Sequence, residues 1–289
     1  MAGIPEKLKE LFVAAYGKEA TDVIKGCESA RPTTFRVNTL KATAQEAESE
    51  LIGAVTLEKS LLPDAYIVTG GQEKLRETDA YKSGKIYIQS LSSMLPPFAL
   101  DPRAGESILD MAAAPGGKTT QMAAMSGGKA AITACEKSPV RAERLKYNIA
   151  KQGAGRVFVM TKDASALDRG FVFDKILLDA PCSGSGTSGA GAFSERLLEG
   201  CMRTQKRLLS KAWELLKKGG TLVYSTCSVL PCENGEMLKS VIGDTAEYID
   251  ISHIVPADAR LLGGAPATVT ICPDDLYEGF FVAALRKPL

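Results

Sequence analysis

From residue 108 onward, short apolar runs alternate with amphipathic stretches at a steady pace. Ile108-Leu109-Asp110, Ala131-Ile132-Thr133-Ala134, Val157-Phe158-Val159-Met160, Lys175-Ile176-Leu177-Leu178 and Thr221-Leu222-Val223-Tyr224 are short and nearly continuous in apolar character, which predicts buried strands. Lys118 to Met125, Pro139 to Lys151 and Met202 to Lys217 have helical periodicity and fall between them. Buried strands separated by helices predict an α/β fold with a doubly wound, mainly parallel sheet. Upstream the rhythm differs. Pro5 to Tyr16, Ala20 to Cys27 and Ala44 to Ile52 read as helices and Thr34 to Asn38 as a strand, with turns at Pro63-Asp64 and Gly70-Gly71. This pattern predicts a small N-terminal α+β domain over residues 1–75, followed by the doubly wound domain over 76–289.

Composition narrows the classes. The 289 residues are 45% hydrophobic, enough for a substantial core, and the formal net charge of +1 gives no global basic field. Any contact with nucleic acid must therefore rest on a local patch. Met1 to Lys7 lacks the basic-then-apolar pattern of a signal peptide, and no apolar run approaches the roughly 18 residues of a membrane helix, so a cytoplasmic, membrane-free protein is expected. Seven cysteines with no C-x-x-C pair and a single histidine, His253, point to neither a disulfide framework nor a metal site.

Two of those cysteines stand apart. Cys182, in Asp179-Ala180-Pro181-Cys182-Ser183-Gly184-Ser185-Gly186, and Cys227, in Tyr224-Ser225-Thr226-Cys227-Ser228, each follow a predicted strand in a turn of small residues. Ligands of doubly wound sheets bind beyond the carboxyl ends of the strands, and other candidate residues fall there too. After the first strand, Ala112-Ala113-Ala114-Pro115-Gly116-Gly117-Lys118 forms a small-residue loop that opens a helix, the layout that lets backbone N–H groups approach a nucleotide-like cofactor. Glu136 follows the second strand about 20 residues beyond the loop, the spacing of an acid that meets ribose hydroxyls. Asp163 follows the third, where a carboxylate can accept from an adenine amine, and Asp179 ends the fourth. Taken singly, Glu136 and Asp163 read equally well as solvated loop acids. Gly117-Lys118-Thr119 resembles the end of a phosphate-binding P-loop, but Ala112 stands where its first glycine belongs. The G-x-G-x-x-G spacing of dinucleotide dehydrogenases is absent as well. A cofactor loop beside two thiols points to covalent catalysis.

Together these segments resemble the Nop/Sun (RsmB-like) family of S-adenosylmethionine-dependent RNA (cytosine-5) methyltransferases. Asp110 to Thr119 is similar to that family's cofactor loop, Leu178 to Gly186 to its Asp-Ala-Pro-Cys-Ser-Gly segment and Tyr224 to Ser228 to its Thr-Cys-Ser segment. Further matches are Arg36-Val37-Asn38-Thr39, Gln89 to Ser93, Lys218-Gly219-Gly220, Glu233-Asn234 and Gly279-Phe280-Phe281. The resemblance covers nearly the whole chain and implies a Rossmann-like class I methyltransferase sheet. It implies that Ala112 to Lys118 cradle the amino-acid end of S-adenosylmethionine, with Glu136 at its ribose, Asp163 at its adenine, Asp179 between cofactor and base, and Arg141 close by. It makes Cys227 the nucleophile towards carbon 6 of a flipped cytosine and Cys182 the release cysteine, forming 5-methylcytosine. The residues alone leave the order of the two cysteines open, because DNA cytosine-5 methyltransferases use a Pro-Cys cysteine as nucleophile.

The chain resembles the compact archaeal transfer-RNA members most in size, so tRNA is the expected partner of a monomeric enzyme, with rRNA as the alternative. A non-catalytic RNA-binding protein on the same scaffold is the alternative of another class. The glycine-rich Thr187 to Phe193 departs from the family's Arg- and Pro-containing stretch and reads as a mobile segment facing RNA. Arg196, Arg203, Lys206 and Arg207, whose spacing in a helical stretch suits a solvated face equally well, and Arg31, Arg36, Asn38 and Lys41 upstream, are the candidate RNA contacts.

Overall fold

A computed structural model describes residues 3–264 and 266–289, so Met1 and Ala2 of the N-terminal reading lie outside it. The chain begins with α1 (Glu6–Tyr16), which ends at Gly17 with a positive φ of 56°, and α2 (Ala20–Glu28). A four-stranded antiparallel sheet follows from β1 (Thr33–Val37), β2 (Thr56–Lys59), β3 (Ala65–Gly70) and β4 (Ile86–Ile88), in the order β2-β3-β1-β4. Helix α3 (Ala44–Leu51) starts with a reciprocal capping box between Thr43 and Glu46, and α4 (Asp79–Lys82) is a single turn capped by Thr78. Phe35 stacks on Tyr66 between β1 and β3, and Leu51, Leu75 and Ile86 complete this small core.

Sequence patterning showed only one of these four strands. Leu57 is half-buried between exposed neighbours in β2, and β4 has three residues, so neither offers a readable alternation. The sheet also draws its fourth strand from beyond residue 75. Helices α1 and α2 do not pack on it. Leu8, Phe12 and Val23 instead share a core with Ala190, Phe193, Val229 and Leu230, the loops behind the two cysteine turns.

The second sheet matches the predicted α/β class. It contains β5 (Ser107–Asp110), β6 (Ala131–Cys135), β7 (Val157–Met160), β8 (Phe173–Asp179), β9 (Leu216–Thr226), β10 (Glu247–Ile249), β11 (Thr268–Ile271) and β12 (Phe280–Arg286). Its order is β10-β12-β9-β8-β5-β6-β7, with β11 paired to β12. The strands from β7 to β9 run parallel, while β12 is antiparallel to β9. Strand order reverses at β5, which places a ligand crevice at its carboxyl end.

Both faces of this sheet are covered, which is why its strands read as continuous apolar runs. One face packs Ile108, Ile132, Leu177 and Val223 against α5 (Leu91–Leu100), α6 (Gly117–Met125) and α7 (Pro139–Gln152). The other packs Leu109, Ile176, Leu178 and Leu222 against α8 (Glu195–Leu215) and α9 (Gly235–Val241). Helix α5 was not legible in the sequence because it contains Pro96 and Pro97 and is apolar nearly all round. Helix α8 begins seven residues before the predicted Met202, where the Ser194 hydroxyl accepts from the Leu197 N–H. It stops at Leu215, so Lys217 belongs to β9 rather than to the helix.

Candidate active site

The crevice is built from the ends of five parallel strands. After β5, the loop is pinned on both sides: Met111 N–H donates to Leu177 O at 3.0 Å and Ala113 N–H to Cys135 O at 2.9 Å. Gly116 starts α6 with φ 109°, and a side chain there would also meet Leu145. Asp110 is fully buried, accepts from Thr119 Oγ at 2.7 Å, and is pushed up to about 6, chiefly by burial. Asn148 donates to Pro115 O at 2.8 Å and Arg141 to Ala114 O at 2.9 Å, so α7 holds the outer side of the loop.

Glu136 follows β6 and is buried. One oxygen accepts from Ser138 N–H at 2.8 Å and the other lies 3.3 Å from Arg141. Asp163 follows β7 and accepts from Ser165 N–H, Ser165 Oγ and, at 2.9 Å, Arg207. Burial raises its pKa, but the Ser165 hydrogen bonds and then Arg207 outweigh it, leaving the carboxyl below its usual range. These groups bound a narrow cavity of about 40 Å³ together with Ala112 and Pro181. Ala112 also lines a neighbouring cavity of about 220 Å³, bounded by Gln89, Ser93, Lys118 and Asp179. Two features that share Ala112 thus run along the strand ends: an acid-lined slot and a roomier chamber.

The chamber is bounded at one end by Asp179, the last residue of β8, whose chain runs on into the first cysteine turn. Asp179 accepts from Lys118 Nζ at 2.7 Å and from Ser225 Oγ at 2.8 Å, and Lys118 also donates to Ser93 Oγ at 2.7 Å. Asp179 pairs with Ser225 in the β8–β9 register, so the turns leaving these strands emerge side by side. Cys182 and Cys227 consequently lie with their sulfurs 2.9 Å apart, both half-buried and both free thiols. The Cys182 thiol is pushed well up, first by its hydrogen bond with Cys227, then by burial, then by the neighbouring negative charges. A larger cavity of about 670 Å³ lies away from these groups, near Phe98, Lys175, Thr221 and Ile251, and contains none of the strand-end acids or thiols.

The structure therefore brings Cys182, Cys227, Asp179 and Lys118 to one end of the crevice and Glu136, Arg141 and Asp163 to the other, with Ala112 to Gly117 between. It relocates several expected RNA contacts. Arg36 is buried, donating to Gln89 Oε1, Gly117 O and Thr120 Oγ; Asn38 donates to Gly84 O and Gln152 O; Lys41 donates to Ser83 O and Lys151 O; Arg31 donates to Tyr277 O and Gly26 O. All four join the N-terminal segments to the rest of the chain instead of offering donors to phosphate. Arg207 turns into the slot, whereas Arg203 lies 3.7 Å from Glu199 on the helix surface. The segment read as mobile is a short helical turn, Ser188–Ala192, capped by Thr187, with Ala190 and Phe193 buried against α1 and α2.

Sequence reasoning gave no role to Ser93, Ser225, Gln205 or Glu233. Gln205 carried a signal, being a polar residue within the buried stripe Cys201, Leu208, Leu209 and Ala212. No group of three or more His, Cys, Asp or Glu with metal-site geometry occurs among the described residues, and no described helix is long and apolar enough to cross a membrane.

A family model described as 16S rRNA methyltransferase RsmB/F matches residues 97–286. The chain is 36% identical over 283 residues to the ribosomal RNA small subunit methyltransferase F of Shewanella piezotolerans, covering 89% of this chain and 58% of that protein. The corresponding Vibrio cholerae protein is 34% identical over 308 residues, with 97% and 64% covered. The chain thus spans about three-fifths of the length of these relatives. Among solved structures, a methyltransferase homolog protein from Pyrococcus horikoshii superposes with a TM-score of 0.85 at 31% identity, covering 99% and 96% of the two chains. NSun6 from Pyrococcus horikoshii, solved with SFG, superposes with a TM-score of 0.87 at 25% identity, covering 99% of each chain.

Proposed function

The chain belongs to the RsmB/F family of methyltransferases, and from that premise we propose that it is an RNA (cytosine-5) methyltransferase whose nucleophile is Cys227. The observation that carries the reading is the pair of free thiols 2.9 Å apart in the turns that leave β8 and β9, the strands whose ends hold Asp179 at the chamber wall and Ser225 against it. S-adenosylmethionine is the cofactor, and the residues fit it. Glu136 offers buried carboxylate oxygens suited to a ribose diol, Asp163 borders the same slot, and the loop Ala112 to Gly117 leaves room that larger side chains would fill. Lys118 sits where the loop meets the chamber. Bound there, the cofactor supplies an electrophilic methyl group.

The chain's own residues do the rest. Carbon 5 of cytosine is a weak nucleophile until a thiolate adds at carbon 6, and Cys227 Sγ supplies that thiolate. Asp179 faces the chamber, where its carboxyl can share a proton with nitrogen 3 or the exocyclic amine of the base as the adduct forms. Lys118 orients that carboxyl and Ser225 fixes its other oxygen. Cys182, in contact with the Cys227 sulfur, assists expulsion of the thiol once the carbon 5 proton has gone. Residues 1–75 position the RNA, and residues 76–289, apart from β4, carry the reaction. The protein acts in the cytoplasm as a monomer. Transfer RNA is the proposed substrate; small-subunit rRNA is a second reading, carried by the names of the relatives at 34% and 36% identity.

Covalent trapping tests this. Wild type, Cys182→Ala and Cys227→Ala are incubated with S-adenosylmethionine and either tRNA or small-subunit rRNA, then denatured. Accumulation of a protein–RNA adduct by Cys182→Ala and none by Cys227→Ala is expected, and the RNA that is trapped decides the substrate. Adduct that survives loss of Cys227 and vanishes with Cys182 reverses the roles. No adduct with any variant, and no methyl transfer by wild type, leaves the non-catalytic reading.

A further inference from the structure

Behind the thiol pair lies a carboxylate that the reaction above does not use. Glu233 is completely buried. Its side chain accepts from Ser183 N–H at 2.9 Å, from Ser183 Oγ and from Gln205 Nε2 at 2.9 Å, while its backbone carbonyl accepts from Tyr224 OH at 2.7 Å. Gln205 also donates to Pro181 O at 3.0 Å, so both residues flanking Cys182 are held by the same cluster. Among the described residues no Lys, Arg or His pairs with Glu233. A buried carboxylate satisfied solely by neutral donors is unusual, because burial of a charge is costly without a cation.

The neighbouring residue does the matching task for the other turn. Asn234 accepts from Thr226 Oγ at 2.6 Å and donates to Ser228 O at 2.9 Å, bracketing Cys227. One dipeptide therefore clamps both cysteine turns, but asymmetrically: the neutral amide supports Cys227 and the carboxylate supports Cys182. Two sulfurs in contact share a proton, and a nearby negative charge makes the thiolate less favourable on the closer sulfur.

We propose that Glu233 is a positioning residue that keeps the shared proton on Cys182, so that the pair presents its nucleophile at Cys227. This rests on the covalent reading above and gives it a physical basis for ordering two cysteines that the sequence leaves equivalent. Other titratable groups face the pair from the elements packed around it. Asp179 lies on β8, Tyr224 on β9 and Cys201 on α8, while Cys232 precedes Glu233 and Glu236 follows three residues after it; all are acids. Lys118, at the chamber, is directed at Asp179. The charge of Glu233 also contributes to the raised pKa of Cys182, after the Cys227 contact and burial.

The test uses iodoacetamide on the full chain without RNA, across about pH 6 to 9, bracketing a free thiol near 8.5, with each cysteine followed by peptide mass spectrometry. Wild type is expected to alkylate at Cys227 at least about tenfold faster than at Cys182. Glu233→Gln should bring the two rates together, and Glu233→Asp, which keeps the charge, should restore the preference. Should Glu233→Gln fail to fold, the single-thiol variants decide: Cys182 in Cys227→Ala should react at a higher pH than Cys227 in Cys182→Ala. A preference unmoved in folded Glu233→Gln, or Cys182 titrating at or below Cys227 in the single-thiol variants, overturns the inference. Selectivity that follows Glu233 while no variant traps RNA overturns the RNA reaction and leaves the thiol ordering in place.

Discussion

Two carboxylates flank the thiol pair, and they are built in opposite ways. Asp179 ends a strand, faces the chamber, retains some exposure and pairs with a cation, Lys118. Glu233 lies behind the turn, has no exposure and is held by neutral donors. On the proposed reaction, the difference separates chemistry from support. A carboxyl that must meet a substrate needs an open side and a partner that can be rearranged, whereas one that shapes a turn needs every lone pair anchored.

The largest effect expected from this contrast is catalytic. Asp179→Asn should lower methyl transfer by about 10² to 10⁴-fold, the range of a positioned proton-transfer group, with a nearly unchanged urea midpoint. A large loss of stability in that variant would remove the distinction. Glu233→Ala should behave in the reverse sense. It strands the Ser183 N–H, the Ser183 hydroxyl and one Gln205 donor, so a cost of about 3 kcal/mol is expected in urea unfolding. A variant as stable as wild type would show that these donors find other partners.

Asp110 extends the comparison to a third carboxyl. Its folded pKa, about 6, lies above its ordinary value, so the folded state binds this proton more tightly than the unfolded one. The stabilisation is fully present below about pH 4 and is lost as pH rises through about 6, to a total of about 3 kcal/mol. Asp110→Asn should therefore flatten the pH dependence of stability between those limits, and an unaltered profile would exclude Asp110 as its source. The smallest effect belongs to Arg207, whose ion pair with Asp163 is half-exposed. Arg207→Ala should change stability by less than about 1 kcal/mol; a larger loss would mean that this pair is structural, like the Glu233 cluster, and not part of an adaptable slot.

Much of the site was legible because each group lies within one short segment with its own local signal. The loop after β5, the acids after β6 and β7 and the cysteines after β8 and β9 all follow apolar runs, and in a parallel sheet that placement alone brings them to one edge. Arg36 and Asn38 were misread for a related reason. A cationic or polar residue on a predicted strand looks available to RNA until the strand's neighbours are known, and here those neighbours are carbonyls of the cofactor loop and of α7. Helix α5 escaped because a buried helix with two prolines has neither a polar face nor an uninterrupted pattern.

By itself the sequence determined the alternation of strands and helices, the small-residue loops that end them and the kinds of side chain placed there, since each depends on residues a few positions apart. Tertiary structure decided which of those groups touch. The β8–β9 register set Asp179 opposite Ser225 and so brought Cys182 and Cys227 into contact. The packing of α8 and the segment after Cys227 bonded Gln205 and Glu233 to the residues on either side of Cys182, and Asn234 to those on either side of Cys227. Such asymmetry depends on contacts between residues dozens of positions apart, and no local periodicity encodes them.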